Sequence, residues 1–212
     1  MTDLLEQYIL DHIDAEGEYL QKVVRATNLH TLKPRMCSGH LQGRILKMIC
    51  QLVSPRYILE LGTFTGYSAL CMAEALADVP EAELHTVDIN DEMEEFTRSI
   101  FEGSAYADKI HFHIGDAMEV VPGIDRVFDV VFIDANKRIY SEYYDMVFDK
   151  VRSGGLIIAD NTLWDGKVVQ DPLPRDAQSV GILSFNDKIA ADERVEKVIL
   201  PLRDGMTLIR EK

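Results

Sequence analysis

The sequence predicts an α/β fold: a doubly wound sheet of seven strands, mostly parallel, ending in an antiparallel hairpin and preceded by N-terminal helices. Three observations carry that prediction. Apolar residues recur at helical spacing through the first 55 residues, short apolar runs alternate with helical stretches from residue 57 onward, and only Arg203, Asp204 and Gly205 separate the last two runs.

In the N-terminal segment Leu4, Leu5, Tyr8, Ile9 and Ile13 form one stripe, Tyr19, Leu20, Val23 and Val24 a second, and Leu41, Ile45, Leu46 and Ile49 a third, each read as a packing face. KPRMCSG at 33–39 is the one break expected among them, because Pro34 and Gly39 bracket a loop. The strands follow as YILEL (57–61), LHTVD (84–88), HFHI (111–114), FDVVFID (128–134) and GLIIAD (155–160). Their alternation with helices implies parallel βαβ units with helices on both faces of the sheet. VEKVILPL (195–202) and MTLIR (206–210) lie too close together for a crossover helix, so they are expected to pair as the closing hairpin.

With 212 residues, 47% of them hydrophobic, the chain is expected to form a single domain, a helical cap over 1–55 and the sheet over 56–212. No stretch approaches the roughly 20 apolar residues that span a bilayer, and acids stand where a signal peptide carries basic residues. A soluble, cytoplasmic protein with no membrane partner is the expectation. Cys37, Cys50 and Cys71 are odd in number and set among apolar residues, which reads as reduced core thiols. The net charge of −14 would repel a phosphate backbone, which argues against general nucleic-acid affinity but not against a local basic patch.

Ligands of such sheets sit beyond the carboxyl ends of the strands, and the residues there are polar. The first strand runs into Glu60-Leu61-Gly62-Thr63-Phe64-Thr65-Gly66-Tyr67-Ser68, whose glycines permit a tight turn close to a ligand. A pyrophosphate cradle would want Gly-x-Gly-x-x-Gly. Here Gly62 and Gly66 stand four apart behind an acid, which favours a cationic ligand without phosphate. Asp88 ends the second strand about 20 residues later, placed either to hold ribose hydroxyls or to cap a helix. Asp116 at the end of the third strand is read either as a partner for an adenine amino group or as a helix cap.

Asp134 ends the fourth strand, and Asp160-Asn161 end the fifth. If those strands are neighbours, three hard oxygen donors converge as Mg²⁺ requires. Each has a bland alternative as a cap or turn residue. Lys137 lies within reach of the same point; beside a divalent cation its proton would be held less tightly, suiting it to act as a general base, and otherwise it is a surface lysine.

Four segments, ILELGTFTGYSAL, HTVDIN, VVFIDANKRIYSEYYD and GGLIIADNTLWDGKVV, resemble the cation-dependent O-methyltransferases, a family that includes catechol and caffeoyl-CoA O-methyltransferases and small bacterial relatives. The likeness spans about residues 30–212 and implies the class I methyltransferase, Rossmann-like fold. It implies Asp134, Asp160 and Asn161 as metal ligands and Lys137 as the base. Donor contacts implied for S-adenosylmethionine are Glu60, Gly62, Thr63, Ser68, Asp88, Asp116, Ala117, Asp134 and Tyr143. Met36 and Trp164 are implied at the acceptor, with core burial the alternative for Trp164. Two positions depart from the family pattern: Asn136 between Asp134 and Lys137, and Arg44 in place of a glutamine.

The implied activity is methyl transfer from S-adenosylmethionine, with Mg²⁺, to a hydroxyl of a catechol-like small molecule; a hydroxyuridine in tRNA is the second acceptor weighed. Lys33, Arg35 and Arg44 around the 33–39 loop keep the tRNA reading open. A non-catalytic binder of adenosyl ligands is the alternative from another class. A nicotinamide oxidoreductase fails on the glycine spacing and gives Asp160-Asn161 nothing to do. A homodimer through the N-terminal helices is expected by the same resemblance.

Overall fold

The computed structural model describes residues 3–212. Three helices, α1 (Asp3–Asp11), α2 (Glu18–His30) and α3 (His40–Val53), precede the sheet. The strands are β1 (Tyr57–Leu61), β2 (Glu83–Asp88), β3 (Ile110–Ile114), β4 (Phe128–Ile133), β5 (Val151–Asp160), β6 (Val195–Leu200) and β7 (Met206–Glu211). Between them run α4 (Tyr67–Glu74), α5 (Glu94–Glu102), α6 (Ala117–Val120), α7 (Tyr140–Phe148) and α8 (Ala177–Ala191). One seven-stranded sheet has the order β3-β2-β1-β4-β5-β7-β6, with β7 antiparallel to β5 and β6. The expected sheet and closing hairpin are therefore present. Strand order reverses between β1 and β4, so both of these strands open onto the switch-point crevice.

Side chains of the central strands alternate between two faces, and both faces are buried. Leu59, Leu61, Val87, Val131, Ile133 and Ile157 pack with α6, α7 and α8, while Ile58, Leu84, Val130, Phe132 and Ile158 pack with α2, α3 and α4. Strand β5 begins at Val151, four residues before the expected start. Its register against β4 jumps from Phe128↔Val151 to Val130↔Leu156, an irregularity that takes up the polar Arg152-Ser153 and Gly154, whose φ is +72°.

Two expectations for the N-terminal segment are corrected. A second break separates α1 from α2 at residues 12–17, so Ile13 lies outside the helix whose stripe it was expected to complete. The α1 stripe is also not a packing face within the chain: Leu4 is 85% and Tyr8 61% exposed, because nothing among the described residues lies over them. Among the described residues no helix is long and apolar enough to cross a membrane.

Candidate active site

The turn after β1 is built around Gly62. Its N–H donates to Val87 O (2.9 Å), and Asp134 N–H donates to Leu61 O (2.8 Å), so the turn continues the ladder of both neighbouring strands. Its φ is +98°, and a Cβ there would stand 2.0 Å from Asp134 O, so only glycine lets the β1 turn lie against the end of β4. Phe64 N–H donates to Asp88 Oδ2 (2.7 Å) and Asn90 N–H to Asp88 Oδ1 (2.9 Å), which ties the turn to the end of β2. Asp88 thus pins two turns, while Asn90 caps the short helical turn that follows.

Glu60 points beneath this turn and is fully buried. Ser68 Oγ and Thr86 Oγ1 each donate to its carboxylate at 2.5 Å, and Thr63 Oγ1 lies 2.6 Å from Thr86 Oγ1. Burial lifts the Glu60 carboxyl to about 8 in spite of those donors. Glu60, Thr63 and Ser68 form one supporting network under the turn. Asp116 Oδ1 accepts from Met118 N–H (2.9 Å) and so caps the helix that follows. Ala117 and Tyr143 are both buried in the core on that side of the sheet.

β4 and β5 are parallel neighbours, with Ile133 opposite Ala159, so Asp134 and Asp160 emerge side by side. Lys137 Nζ donates to Asp134 Oδ1 (2.6 Å) and lies 5.0 Å from the Tyr140 ring; Lys137 is only 7% exposed. Tyr140 Oη donates to the carbonyls of Ile133 and Asp160, both at 3.1 Å, clamping the two strand ends together. Asp160 is buried, and burial together with the Asp134 charge lifts its carboxyl to about 6. Asn161 follows in the left-handed region at φ +58°, a conformation Asn tolerates. Two carboxylates side by side, next to an amide oxygen, form an oxygen set whose mutual repulsion a hard divalent cation relieves; these residues fit such an ion.

Three participants were not anticipated from sequence. Gln42 of α3 is buried and donates from Nε2 to Asp160 Oδ2 (2.7 Å). Arg203, in the β6–β7 turn, donates from Nη1 to Gln42 Oε1 (3.1 Å) and to Cys37 O (3.3 Å), joining the hairpin tip to the 33–39 loop. Asp204 accepts from Asp165 N–H through Oδ1, while its own carbonyl accepts from Leu163 N–H (2.8 Å). A cavity of about 470 Å³ opens there, lined by Leu163, Val168, Val169, Arg203 and Asp204 among others. A signal for Gln42 existed, since it is a polar residue at the head of the buried α3 stripe that continues through Leu46 and Cys50.

Met36 stands in a short 3-10 turn over Pro34–Met36 and is 56% exposed. Trp164 is half-buried against the core beneath α7 and α8, beside cavity-lining residues but not itself among them. Arg44 departs from the expectation of a basic cluster at the pocket mouth. It pairs with Glu74 of α4 (2.7 Å), which Lys47 also holds (2.6 Å), so of the three expected basic residues Lys33 and Arg35 stay exposed near the loop, where Arg203 joins them.

Residues 11–212 match the model of the O-methyltransferase family. A caffeoyl-CoA O-methyltransferase of Eucalyptus gunnii is 35% identical over 221 residues, covering 99% of this chain and 88% of that protein. Among solved structures, the O-methyltransferase TomG from Streptomyces achromogenes, in complex with SAM, superposes with a TM-score of 0.90 at 29% identity, covering 99% of this chain and 96% of that one. An O-methyltransferase from Bacillus cereus, in complex with SAH, gives 0.90 at 27%, with 99% and 97% covered. With its sheet order, its strand-end residues and these likenesses in agreement, the chain belongs to the O-methyltransferase family and is an enzyme of methyl transfer.

Proposed function

We propose that this enzyme takes its methyl group from S-adenosylmethionine and, with a divalent cation such as Mg²⁺, delivers it to one hydroxyl of a catechol-like small molecule. The observation that carries the reading is the pairing of Asp134 and Asp160 at adjacent strand ends with Lys137 Nζ 2.6 Å from Asp134. In this reading Asp134, Asp160 and Asn161 hold the cation, and the turn from Gly62 to Ser68 with Asp88 and Asp116 receives the donor. Glu60, Thr63 and Ser68 serve from below by fixing the turn, and Ala117 and Tyr143 shape its wall. Met36 and Trp164 flank the acceptor, which enters beside the cavity lined by residues within 163–169, Arg203 and Asp204.

When bound, the cation supplies positive charge that acidifies the acceptor hydroxyl and weakens the hold of a proton on Lys137. Lys137 Nζ then takes the hydroxyl proton, and the oxygen attacks the sulfonium methyl, leaving a neutral thioether. The walls of the cavity hold oxygen and methyl in line and exclude water as the charged pair neutralises.

The relatives named caffeoyl-CoA O-methyltransferase favour a phenolic acceptor over tRNA. The loss of Arg44 from the pocket mouth removes one of the three basic residues on which the tRNA reading leaned. The reading also pairs the chain with a second copy through exposed apolar residues of the N-terminal helices such as Leu4, Tyr8 and Leu29, which sedimentation tests.

Methyl transfer from labelled S-adenosylmethionine to caffeic acid and to hypomodified tRNA, each with Mg²⁺ and with EDTA, decides between the acceptors. Mg²⁺-dependent labelling of the catechol, lost in Asp160→Ala while donor binding persists, is the expected result. Labelling that survives EDTA overturns the cation's role, and labelling of tRNA alone overturns the acceptor.

A further inference from the structure

Strands β2 and β3 carry a second group of metal-binding side chains that methyl transfer does not use. His111 and His113 alternate along β3 and so face the same side of the sheet. His85 stands directly across from His111 in the register, and Glu83 precedes it by two residues on the same face. The rings stack, His85 on His111 with centroids 4.7 Å apart and His85 on His113 at 5.3 Å. Glu83 lies five residues and His85 three before Asp88 on β2, so these side chains start roughly 10–17 Å from the strand end that bears the methyl-transfer site.

Donor atoms of Glu83, His85 and His111 all lie within 4.8 Å of one another. Two donors held about 2.0–2.1 Å from a tetrahedral ion stand roughly 3.3 Å apart. Glu83 Oε2 and His85 Nε2 are 3.2 Å apart, close to that separation before any ion enters. On the other edge of the ring, His85 Nδ1 is 3.1 Å from His113 Nε2. With the proton on that side, the Nε2 lone pair faces Glu83, and His113 orients His85 as outer partners orient metal-bound imidazoles. Arg126 donates to Glu83 Oε2 (2.8 Å) and Oε1 (3.0 Å), which keeps the carboxylate ionised. His85 is buried whereas His111 is exposed on the sheet's edge strand, so an ion has a way in.

The competing account is structural: Glu83 paired with Arg126, and the imidazoles stacked beside Phe128. It satisfies Glu83 and accounts for the stacked rings, but it leaves unused the His111 nitrogen that stands within 4.8 Å of the Glu83 and His85 donors. A nitrogen-rich set of this kind selects zinc and its neighbours over magnesium.

We propose that Glu83, His85 and His111 bind a borderline transition-metal cation, with Zn²⁺ the best fit, and that His113 positions His85 for it. The site is separate from the oxygen donors at the opposite end of the sheet. Its ion ties the edge strand β3 to β2 and stabilises the folded chain by mass action.

The test is a Zn²⁺ titration of the tag-free full chain, with Mg²⁺ in excess, against a chromophoric chelator, alongside Co²⁺ absorption and thermal melting. One Zn²⁺ bound by the wild type and equally by Asp160→Ala is expected, with a raised Tm and an intense tetrahedral Co²⁺ band. His111→Ala, at an exposed position where folding is not at stake, should lose that binding while keeping methyl transfer; His113→Ala should weaken it about tenfold. Absence of Zn²⁺ binding, binding indifferent to His111→Ala and Glu83→Gln, or binding lost with Asp160→Ala would each overturn the proposal.

Discussion

Gln42 and Asp160, 118 residues apart in the chain, are joined by a hydrogen bond of 2.7 Å from amide to carboxylate. Arg203 holds the other end of the amide, so the Gln42 nitrogen faces the acid and its oxygen the guanidinium. Gln42→Ala is expected to weaken Mg²⁺ binding by about ten- to a hundredfold, the usual cost of losing a group that orients a ligand. Calorimetric titrations with Mg²⁺ and with S-adenosylmethionine check this. An equal loss in both would mean that Gln42 supports the fold rather than the carboxylate.

Lys137 is held over Tyr140 and against Asp134 with almost no exposure. Lys137→Met should lower kcat by about 10²–10⁴-fold with donor affinity intact. Lys137→Arg keeps the charge but has no lone pair to accept a proton, so it should be as slow as the methionine variant. Near-normal turnover in the arginine variant would assign Lys137 an electrostatic role instead.

Gly62→Ala adds two penalties with no gain: a left-handed φ and a Cβ driven onto Asp134 O. Destabilisation of about 1–3 kcal/mol or more is expected, read as a lower urea midpoint at unchanged slope. A midpoint equal to wild type would mean that the β1 turn can retreat from β4 freely.

Glu60 predicts a pH dependence whose sign follows from burial. Its carboxyl is lifted to about 8 in the folded chain, well above its unfolded value, so the folded state keeps a proton that the unfolded state has released. Stability is therefore lost as pH rises toward about 8. Asp160, lifted to about 6, adds a slope of the same sign below that pH, and His85 and His113, held below the usual imidazole value by burial, add one of opposite sign up to about 6.5, which leaves the stretch from there to about 8 to Glu60. Glu60→Gln mimics the neutral acid and should flatten that stretch in urea unfolding of the metal-free protein. An unchanged slope would show that Glu60 is ionised where it stands.

The strand positions were legible because each is an apolar run bounded by polar residues, and β1 matches its expected limits at Tyr57 and Leu61. Asp134, Asp160 and Asn161 were legible for the same reason, as polar residues where apolar runs stop. The break between α1 and α2 was harder to see: the apolar spacing continues into Ile13, while Gly17 stands at the helix start without a proline to mark it. Arg44 misled because sequence proximity to the 33–39 loop says nothing about which way a helical side chain points; one turn of α3 aims it at Glu74.

The sequence by itself determined the fold class, the order of helices and strands and the acids at the strand ends, because periodicity and turn chemistry act between near neighbours. Only the tertiary structure decided which of those ends meet. The reversal of strand order sets β4 beside both β1 and β5, which brings Gly62 against Asp134 and Asp134 beside Asp160. The return of the β6–β7 hairpin brings Arg203 to Gln42, and the parallel register of β2 with β3 sets His85 opposite His111. Those meetings depend on sheet order, register and burial across long stretches of chain, and no local pattern of residues encodes them.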